Sequence, residues 1–310
     1  MAGRLMLLDS ASLYFRAFYG VPDSLKAPDG TVVNAVRGLL DFVATLTTQY
    51  HPDVIVACWD DDWRPAWRVD LMPSYKTHRV AEEIVGIDPD IEETPDLLSP
   101  QVPLIAEALG LIGIPVVGAM GAEADDIIGT LAPAWDGPVD VVTGDRDLFQ
   151  LVDDDSVNGG PIRILYTARG VGNHDVVDEA WIRTKYGIDS HRYVDFAVMR
   201  GDASDGIPGV PGIGEKTGAA LLAAYDDLDG IVAAAKDPSS DIKPRVRQSL
   251  LDSQEYIEIA RQVVTVSQDA CPTEVIVREA LTDEQKTALT AFGEQWGLGS
   301  VPGRVIEALA

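Results

Sequence analysis

The sequence predicts an α/β fold, with a mostly parallel central sheet flanked by helices and a helical second half. Three observations carry this. Short apolar runs recur through the first half, helical patterns separate them, and after about Val176 the runs give way to short helical patterns joined by Gly- and Pro-rich turns. Continuous apolar runs alternating with helices are the mark of strands buried on both faces of a parallel sheet.

In chain order, Leu5-Met-Leu-Leu8 is the first strand and closes on Asp9. Residues 36–50 read as a helix. Residues 53–59 are the second strand and run into Asp60. Residues 61–100 break the rhythm: they carry Pro65, Pro73, Pro89, Pro95 and Pro100 and no sustained period, which marks a lid-like insertion. A helix over 102–111, a strand over 114–117, a helix over 124–134 and a strand over 139–142 follow, the last leading into Thr143-Gly144-Asp145. This places an α/β domain at residues 1–175, with the insertion at about 61–100, and a helical subdomain at 176–310. Its helices are expected at 180–186, 193–199, 216–224, 228–235 and 256–264.

Composition bounds the function. The chain has 310 residues with 24 Lys+Arg and 50 Asp+Glu, a net charge of −26. That excludes a nucleic-acid binder held by bulk positive charge and a polybasic membrane anchor. Hydrophobic residues make up 46%, too many for a disordered acidic tail. Cys58 and Cys271 are too few for a disulfide framework or zinc site, which fits a reducing cytoplasm. No apolar run approaches the ~20 residues of a membrane span. The four histidines, His51, His78, His174 and His191, lie at no metal-ligand spacing.

The acids share an address. Asp9 ends strand one, Asp60 ends strand two, Glu123, Asp125 and Asp126 follow strand three, and Asp145 and Asp147 follow strand four. In open α/β sheets the carboxyl edge of the strands is where sites assemble. Glu123 and Asp125 would point about 200° apart within a regular helix, so they can share a site only at a helix start. A single such aspartate is more often a helix cap. Together they repel, at about 4 kcal/mol per pair for ~4 Å and an effective dielectric of 20. Only Arg146 accompanies them in sequence, so hard divalent cations are the expected compensation. Two metals about 4 Å apart clamp both oxygens of a phosphodiester displacement. A dehalogenase-type phosphatase would need an acid two residues after Asp9, where Ala11 stands.

Downstream, Gly212-Ile-Gly214 before a helix start at Glu215 or Lys216 is a helix-hairpin-helix signature, within about residues 199–224. The glycines allow a tight turn, and helix N–H groups with Lys216 face a phosphate. Such a contact reads backbone and not base sequence. Asp202 and Asp205 lie just upstream, within reach of the acidic edge.

These motifs, in this order, resemble the 5′ nuclease family, which includes the 5′→3′ exonuclease domain of bacterial DNA polymerase I and the flap endonucleases. The resemblance covers the chain to about residue 270. It rests on Leu-Leu-Asp9-Ser with Tyr14-Phe-Arg16-Ala-Phe18, Trp59-Asp60, Trp67-Arg68 with Ser74-Tyr-Lys-Thr-His-Arg79, Gly-Ala-Glu123-Ala-Asp125-Asp126, Thr-Gly-Asp145-Arg-Asp147, and Gly-Asp202-Ala-Ser-Asp205-Gly-Ile-Pro-Gly with the hairpin. It implies a PIN-like nuclease core with a helical arch as the insertion. It implies two or three Mg²⁺ or Mn²⁺ ions, one held by Asp9, Asp60, Glu123 and Asp125 and one by Asp145, Asp147 and Asp205, with Asp126 and Asp202 in support or at a further ion. Lys76 and Arg79 would approach the scissile phosphate as catalytic residues. Tyr75 would stack on the unpaired 5′ end, and Arg16 and Arg68 would contact phosphates. Gly212, Gly214, Lys216 and Thr217 would grip the duplex, with a potassium ion on the loop carbonyls.

The resemblance thus implies a stand-alone, monomeric 5′→3′ exonuclease and flap endonuclease acting at DNA flaps, nicks, gaps and primer junctions, in the cytoplasm at the nucleoid. A PIN-like ribonuclease is the alternative enzyme, but such chains usually stop short of the second half and lack the hairpin. A non-catalytic DNA-junction module would use the hairpin alone and would not need the acids. Two departures stand out. Gly206 occupies the place where the family has Asn. The arch segment 80–100 carries seven acids and no base, and its acids would repel a DNA strand.

Overall fold

A computed structural model describes residues 2–80, 95–156, 159–274 and 280–310. Among them six strands form one sheet: β1 (Leu5–Asp9), β2 (Val54–Cys58), β3 (Val116–Val117), β4 (Val139–Thr143), β5 (Ile162–Tyr166) and β6 (Asp175–Val177). The order is β3-β2-β1-β4-β5-β6. All neighbours are parallel except β6, which runs antiparallel to β5 at the edge. The first three strands build outward in one direction and β4 restarts on the other side of β1. The carboxyl ends of β1 and β4 therefore face a topological switch point.

Strand residues alternate between two cores. Leu5 and Leu7 of β1 and Val54 and Val56 of β2 face one; Met6, Leu8, Ile55 and Ala57 face the other. Helices α1 (Ser10–Gly20), α2 (Asn34–Tyr50) and, after the short α3 (Ala66–Leu71), α4 (Gln101–Leu111) come next in the chain. α1, α2 and α4 cover the second face. The first face is covered by α5 (Ala124–Ala134) and continues into the helical half, through α6 (Glu179–Tyr186), α7 (Tyr193–Arg200), α8 (Glu215–Tyr225), α9 (Leu228–Lys236), α10 (Pro244–Asp252) and α11 (Gln254–Val264). One acid lies inside the sheet. Asp140 of β4 is fully buried, and Arg4 and Arg163 donate to it at 2.9 and 2.5 Å.

Several elements were not signalled by the sequence pattern. α1 starts at the residue after β1, with Asp9 as its N-cap, so no turn residue separates strand from helix. β5 carries Arg163 in mid-run, and β6 is only three residues long. The last helices, α12 (Asp283–Gln295) and α13 (Val301–Ala308), do not join the helical half, although a boundary at residue 176 groups them with it. Their Leu289, Phe292, Val301 and Val305 complete the core beneath α2 and α4. Of the arch, residues 81–94 lie outside the described residues, and its described part contains α3 and one 3-10 turn at Thr77–Arg79. Among the described residues no helix is long and apolar enough to cross a membrane.

The two halves meet on aromatic rings. Phe149, fully buried in the turn after β4, lies 5.0–5.6 Å from Tyr166, Trp181 and Tyr193. Phe149→Ala should lower unfolding stability by about 3–5 kcal/mol. Urea denaturation checks this, and a midpoint within error of wild type would show that the cluster does not hold the halves together.

Candidate active site at the carboxyl edge of the sheet

The acids converge because backbone geometry leaves them no other place. Asp9 caps α1 through the Ser12 N–H at 3.1 Å and accepts from Thr143 Oγ1 at 2.6 Å. Thr143 Oγ1 in turn accepts from the Asp145 N–H, and Asp145 Oδ1 from the Asp147 N–H, both at 2.8 Å. β1 and β4 are thus tied at their ends by the acids themselves. Asp60 accepts from the Ala124 N–H at 2.7 Å, joining the end of β2 to the start of α5. Glu123 is the N-cap of α5, in a capping box with Asp126. Glu123 and Asp125, in the first turn, therefore stand at a helix start, as a shared site requires. Asp9, Asp60, Glu123, Asp125 and Asp145 line a cavity of about 220 Å³ with Lys76 and Arg79.

The sequence expectation of a single accompanying cation is corrected here. Lys76 Nζ donates to Glu123 Oε2, and Arg68 lies 3.2 Å from Glu123 Oε1. Arg79 donates to Asp205 Oδ1 at 2.7 Å. Arg146 and Arg200 both reach Asp202 Oδ2. Arg68, Lys76 and Arg79 come from a segment remote in sequence from the acids they meet, which is why strand-end spacing did not reveal them.

Two residues differ from their expected roles, and two acids take the supporting one. Arg68 is 2% exposed and makes two 2.8 Å bonds to Asp126, while its Nε donates to Val263 O. It has no face for a DNA phosphate. Tyr75 is 4% exposed, and its hydroxyl donates to Glu123 Oε1 at 2.8 Å, so its ring cannot stack on a strand end. Asp126 accepts from Arg68 twice and from the N–H groups of Glu123 and Ser267, which leaves its carboxylate occupied. Asp202 is similarly held, by the two arginines and by the N–H and hydroxyl of Ser204.

Glu123 and Asp205 have cationic partners, whereas Asp9, Asp125, Asp145 and Asp147 make no ion pair among the described residues. Burial, then the charges of Asp60 and Asp145, push Asp9 up to about 7 against its hydrogen bonds. Burial and the neighbouring carboxylates push Asp125 and Asp147 well up, and Asp145 up. Burial raises Glu123 despite Lys76 and Arg68. At Asp202 burial acts the same way, but the Ser204 hydrogen bonds and the arginines prevail and lower it. Asp147 Oδ1 is buried with no hydrogen-bond partner. An oxygen-rich, charge-starved cluster with an orphaned carboxylate oxygen suits a hard divalent cation. As the side chains stand, no three such groups among the described residues meet at metal-ligand geometry.

The hairpin residues sit apart from this cavity. Gly212 has φ +79° and Gly214 caps α8, with Lys216 exposed and Thr217 half-buried on its first turn. The turn is anchored through Tyr256, whose hydroxyl accepts from the Gly209 N–H and donates to Val198 O. Arg16 lies on α1 beyond Gly144, donating to Ala168 O at 3.3 Å, and borders a separate groove. Thr143 and Ser12 organise the site without having been expected to. Ser12 Oγ accepts from the Gly144 N–H at 2.8 Å. A hydroxyl at a strand end carries no signal in sequence.

Residues 4–187 match the family model described as 5′-3′ exonuclease, N-terminal resolvase-like domain, and residues 188–288 match 5′-3′ exonuclease, C-terminal SAM fold. A Streptomyces coelicolor protein named 5′-3′ exonuclease is 53% identical over 304 residues, covering 98% of this chain and 99% of its own length. DNA polymerase I of Mycobacterium bovis is 36% identical over 266 residues, 84% of this chain and 27% of the polymerase. A flap endonuclease of bacteriophage T5, solved in a pseudo-enzyme-product complex with DNA and metal ions, shares the fold at TM-score 0.63 and 18% identity, with 99% of each chain covered.

Arg68→Ala should destabilise the protein by about 3–5 kcal/mol, because Asp126 is left buried and unpaired. The salt dependence of DNA affinity should not change, and a shallower salt slope in that variant would restore Arg68 to the DNA interface. The acids also set a pH dependence. Asp9 titrates at about 7 in the fold against 3.8 for a free aspartate. Its contribution to metal-free stability is therefore full at low pH and is lost as pH rises through about 7. A shift of this size corresponds to a few kcal/mol, on the order of 4. Thermal midpoints in EDTA should fall from pH 5 to pH 8, and Mg²⁺ should restore more at pH 8 than at pH 5. A flat EDTA profile would contradict the crowding of these acids.

Proposed function

We propose, from the premise that this chain belongs to the 5′-3′ exonuclease family, that it is a structure-specific 5′ nuclease. It hydrolyses DNA phosphodiesters exonucleolytically from 5′ ends and endonucleolytically at flaps. The observation that carries this reading is the cavity at the switch point, where uncompensated acids and two cations share one wall system.

Asp9, Asp60, Glu123 and Asp125 would hold one divalent ion, and Asp145, Asp147 and Asp205 another. Mg²⁺ or Mn²⁺, when bound, supplies activation of water and neutralisation of charge at the phosphate. Asp126 and Asp202 serve as positioning residues, since their oxygens are already engaged: Asp126 fixes Glu123 and the start of α5, and Asp202 fixes the loop that carries Asp205. The Lys76 ammonium is held protonated: burial opposes its charge, but Glu123, Tyr75, Asp205 and Asp60 together outweigh that cost and raise it well above the usual lysine range. It therefore acts as a fixed positive charge and not as a proton acceptor. A phosphate entering the cavity competes with Glu123 for Lys76 and with Asp205 for Arg79. Stabilising charge on the phosphate in this way is the chain's own contribution to rate.

DNA is gripped at a few points. Gly212, Gly214, Lys216 and Thr217 present α8's N-terminus to the duplex backbone, where the turn carbonyls would hold a potassium ion, and Arg16 contacts a phosphate beside the cavity. Flapped, nicked and gapped duplexes and primer junctions are the proposed substrates, with a monomer acting in the cytoplasm. The likeness to DNA polymerase I supports a place in DNA replication and repair.

Asp145→Asn should abolish cleavage of flaps labelled at either end, in Mg²⁺ and in Mn²⁺, while flap affinity stays within a few-fold. Near wild-type cleavage by this variant would overturn the metal assignment. Product lengths from the two labels separate endonucleolytic from exonucleolytic cutting.

A further inference from the structure

Gly206 lies where the helical half meets the base of the arch. A Cβ added there would stand 2.2 Å from the Ser74 carbonyl oxygen and 3.4 Å from the Lys76 nitrogen, and φ is +71°. No side chain fits while the two segments keep these positions, Asn included. The contact is closed by hydrogen bonds. Ser74 Oγ donates to Gly206 O at 2.9 Å, and the Lys76 N–H donates to Asp205 O at 2.9 Å. Arg79 donates to Ser204 O at 2.7 Å as well as to Asp205. Lys76 itself has φ +49°, an unusual conformation for lysine, so its backbone is held and not relaxed.

We infer that Gly206 is a positioning residue for Lys76 and Arg79: by having no side chain, it lets the loop over residues 202–207 grip the backbone of residues 74–79 and set both cations on the cavity wall. This rests on the phosphate role given to Lys76 and Arg79 above. A larger residue at 206 pushes the arch base outward, and the two charges go with it. Asp9, Asp60, Glu123 and Asp145, tied by hydrogen bonds at the ends of β1, β2 and β4 and the start of α5, stay in place. Asp205 shares the loop with Gly206, so the Lys76→Ala/Arg79→Ala background below separates displacement of the cations from displacement of that acid.

The test is single-turnover cleavage of saturating flap DNA by Gly206→Ala and Gly206→Asn, with flap affinity measured alongside. Both variants should cleave slower, on the order of tenfold or more, because sub-ångström placement of charge governs such rates. Affinity should change little. Asn tolerates positive φ, so Gly206→Asn keeps the experiment informative if Gly206→Ala folds poorly. Gly187→Ala is the control for backbone strain alone: Gly187 has φ +74° with nothing within 4 Å of an added Cβ. It should lower the thermal midpoint and leave the rate unchanged. In a Lys76→Ala/Arg79→Ala background the effect of Gly206→Ala should shrink to less than about twofold, since coupled residues are non-additive. Wild-type rates in the Gly206 variants, or an undiminished effect in that background, would overturn the inference. If the Lys76→Ala/Arg79→Ala enzyme cleaves at wild-type rate, it is the proposed phosphate role that fails.

Discussion

Like charges gathered at one sheet edge repel by about 4 kcal/mol per pair at ~4 Å and an effective dielectric of 20, and the arrangement of this molecule follows from having to hold them together. Some acids bear the load with protein partners. Asp126 is pinned by Arg68 and two N–H groups, and Asp202 by two arginines and Ser204. Others are left in deficit, with Asp9, Asp125, Asp145 and Asp147 all raised. The division separates acids that build the site from acids that wait for a cation.

The same constraint explains the role of the arch base. Residues 64–79 bring Arg68, Lys76 and Arg79 to the carboxylates from outside the sheet. Arg68 is buried for good, whereas Lys76 and Arg79 line the open cavity. One segment therefore supplies both a fixed counter-charge and charges available to a phosphate. The chain's net charge of −26 is compatible with a nucleic-acid substrate on these terms. Cations are few and placed, and the hairpin offers N–H groups where bulk positive charge is lacking.

Much of this was legible in the sequence, for a physical reason. A buried parallel strand must be apolar throughout, so an acid at its end is conspicuous, and Asp9, Asp60 and Asp145 announced the edge. Gly121 ahead of Glu123 allows the helix start that Glu123 and Asp125 need if they are to share a site. What sequence could not show was the destination of long side chains. Arg68 looked like a phosphate contact because it is basic, yet its partners are 58 and 195 residues away, at Asp126 and Val263. Tyr75 looked like a stacking ring, yet its hydroxyl found Glu123. Helices α12 and α13 gave no hint of returning to α2 and α4, because amphipathicity identifies an apolar face but not what it covers.

That return has a consequence for how the chain folds. The core beneath α2 and α4 is finished only by Leu289, Phe292, Val301 and Val305. A chain emerging from the ribosome N-terminus first therefore exposes this apolar face until its last helices appear. The helical half is, in topological terms, an excursion between two parts of one core. Its acids and hairpin are synthesised before the scaffold that steadies the sheet is complete. Nascent chains of this protein are candidates for chaperone capture at that face until α12 and α13 fold back onto α2 and α4.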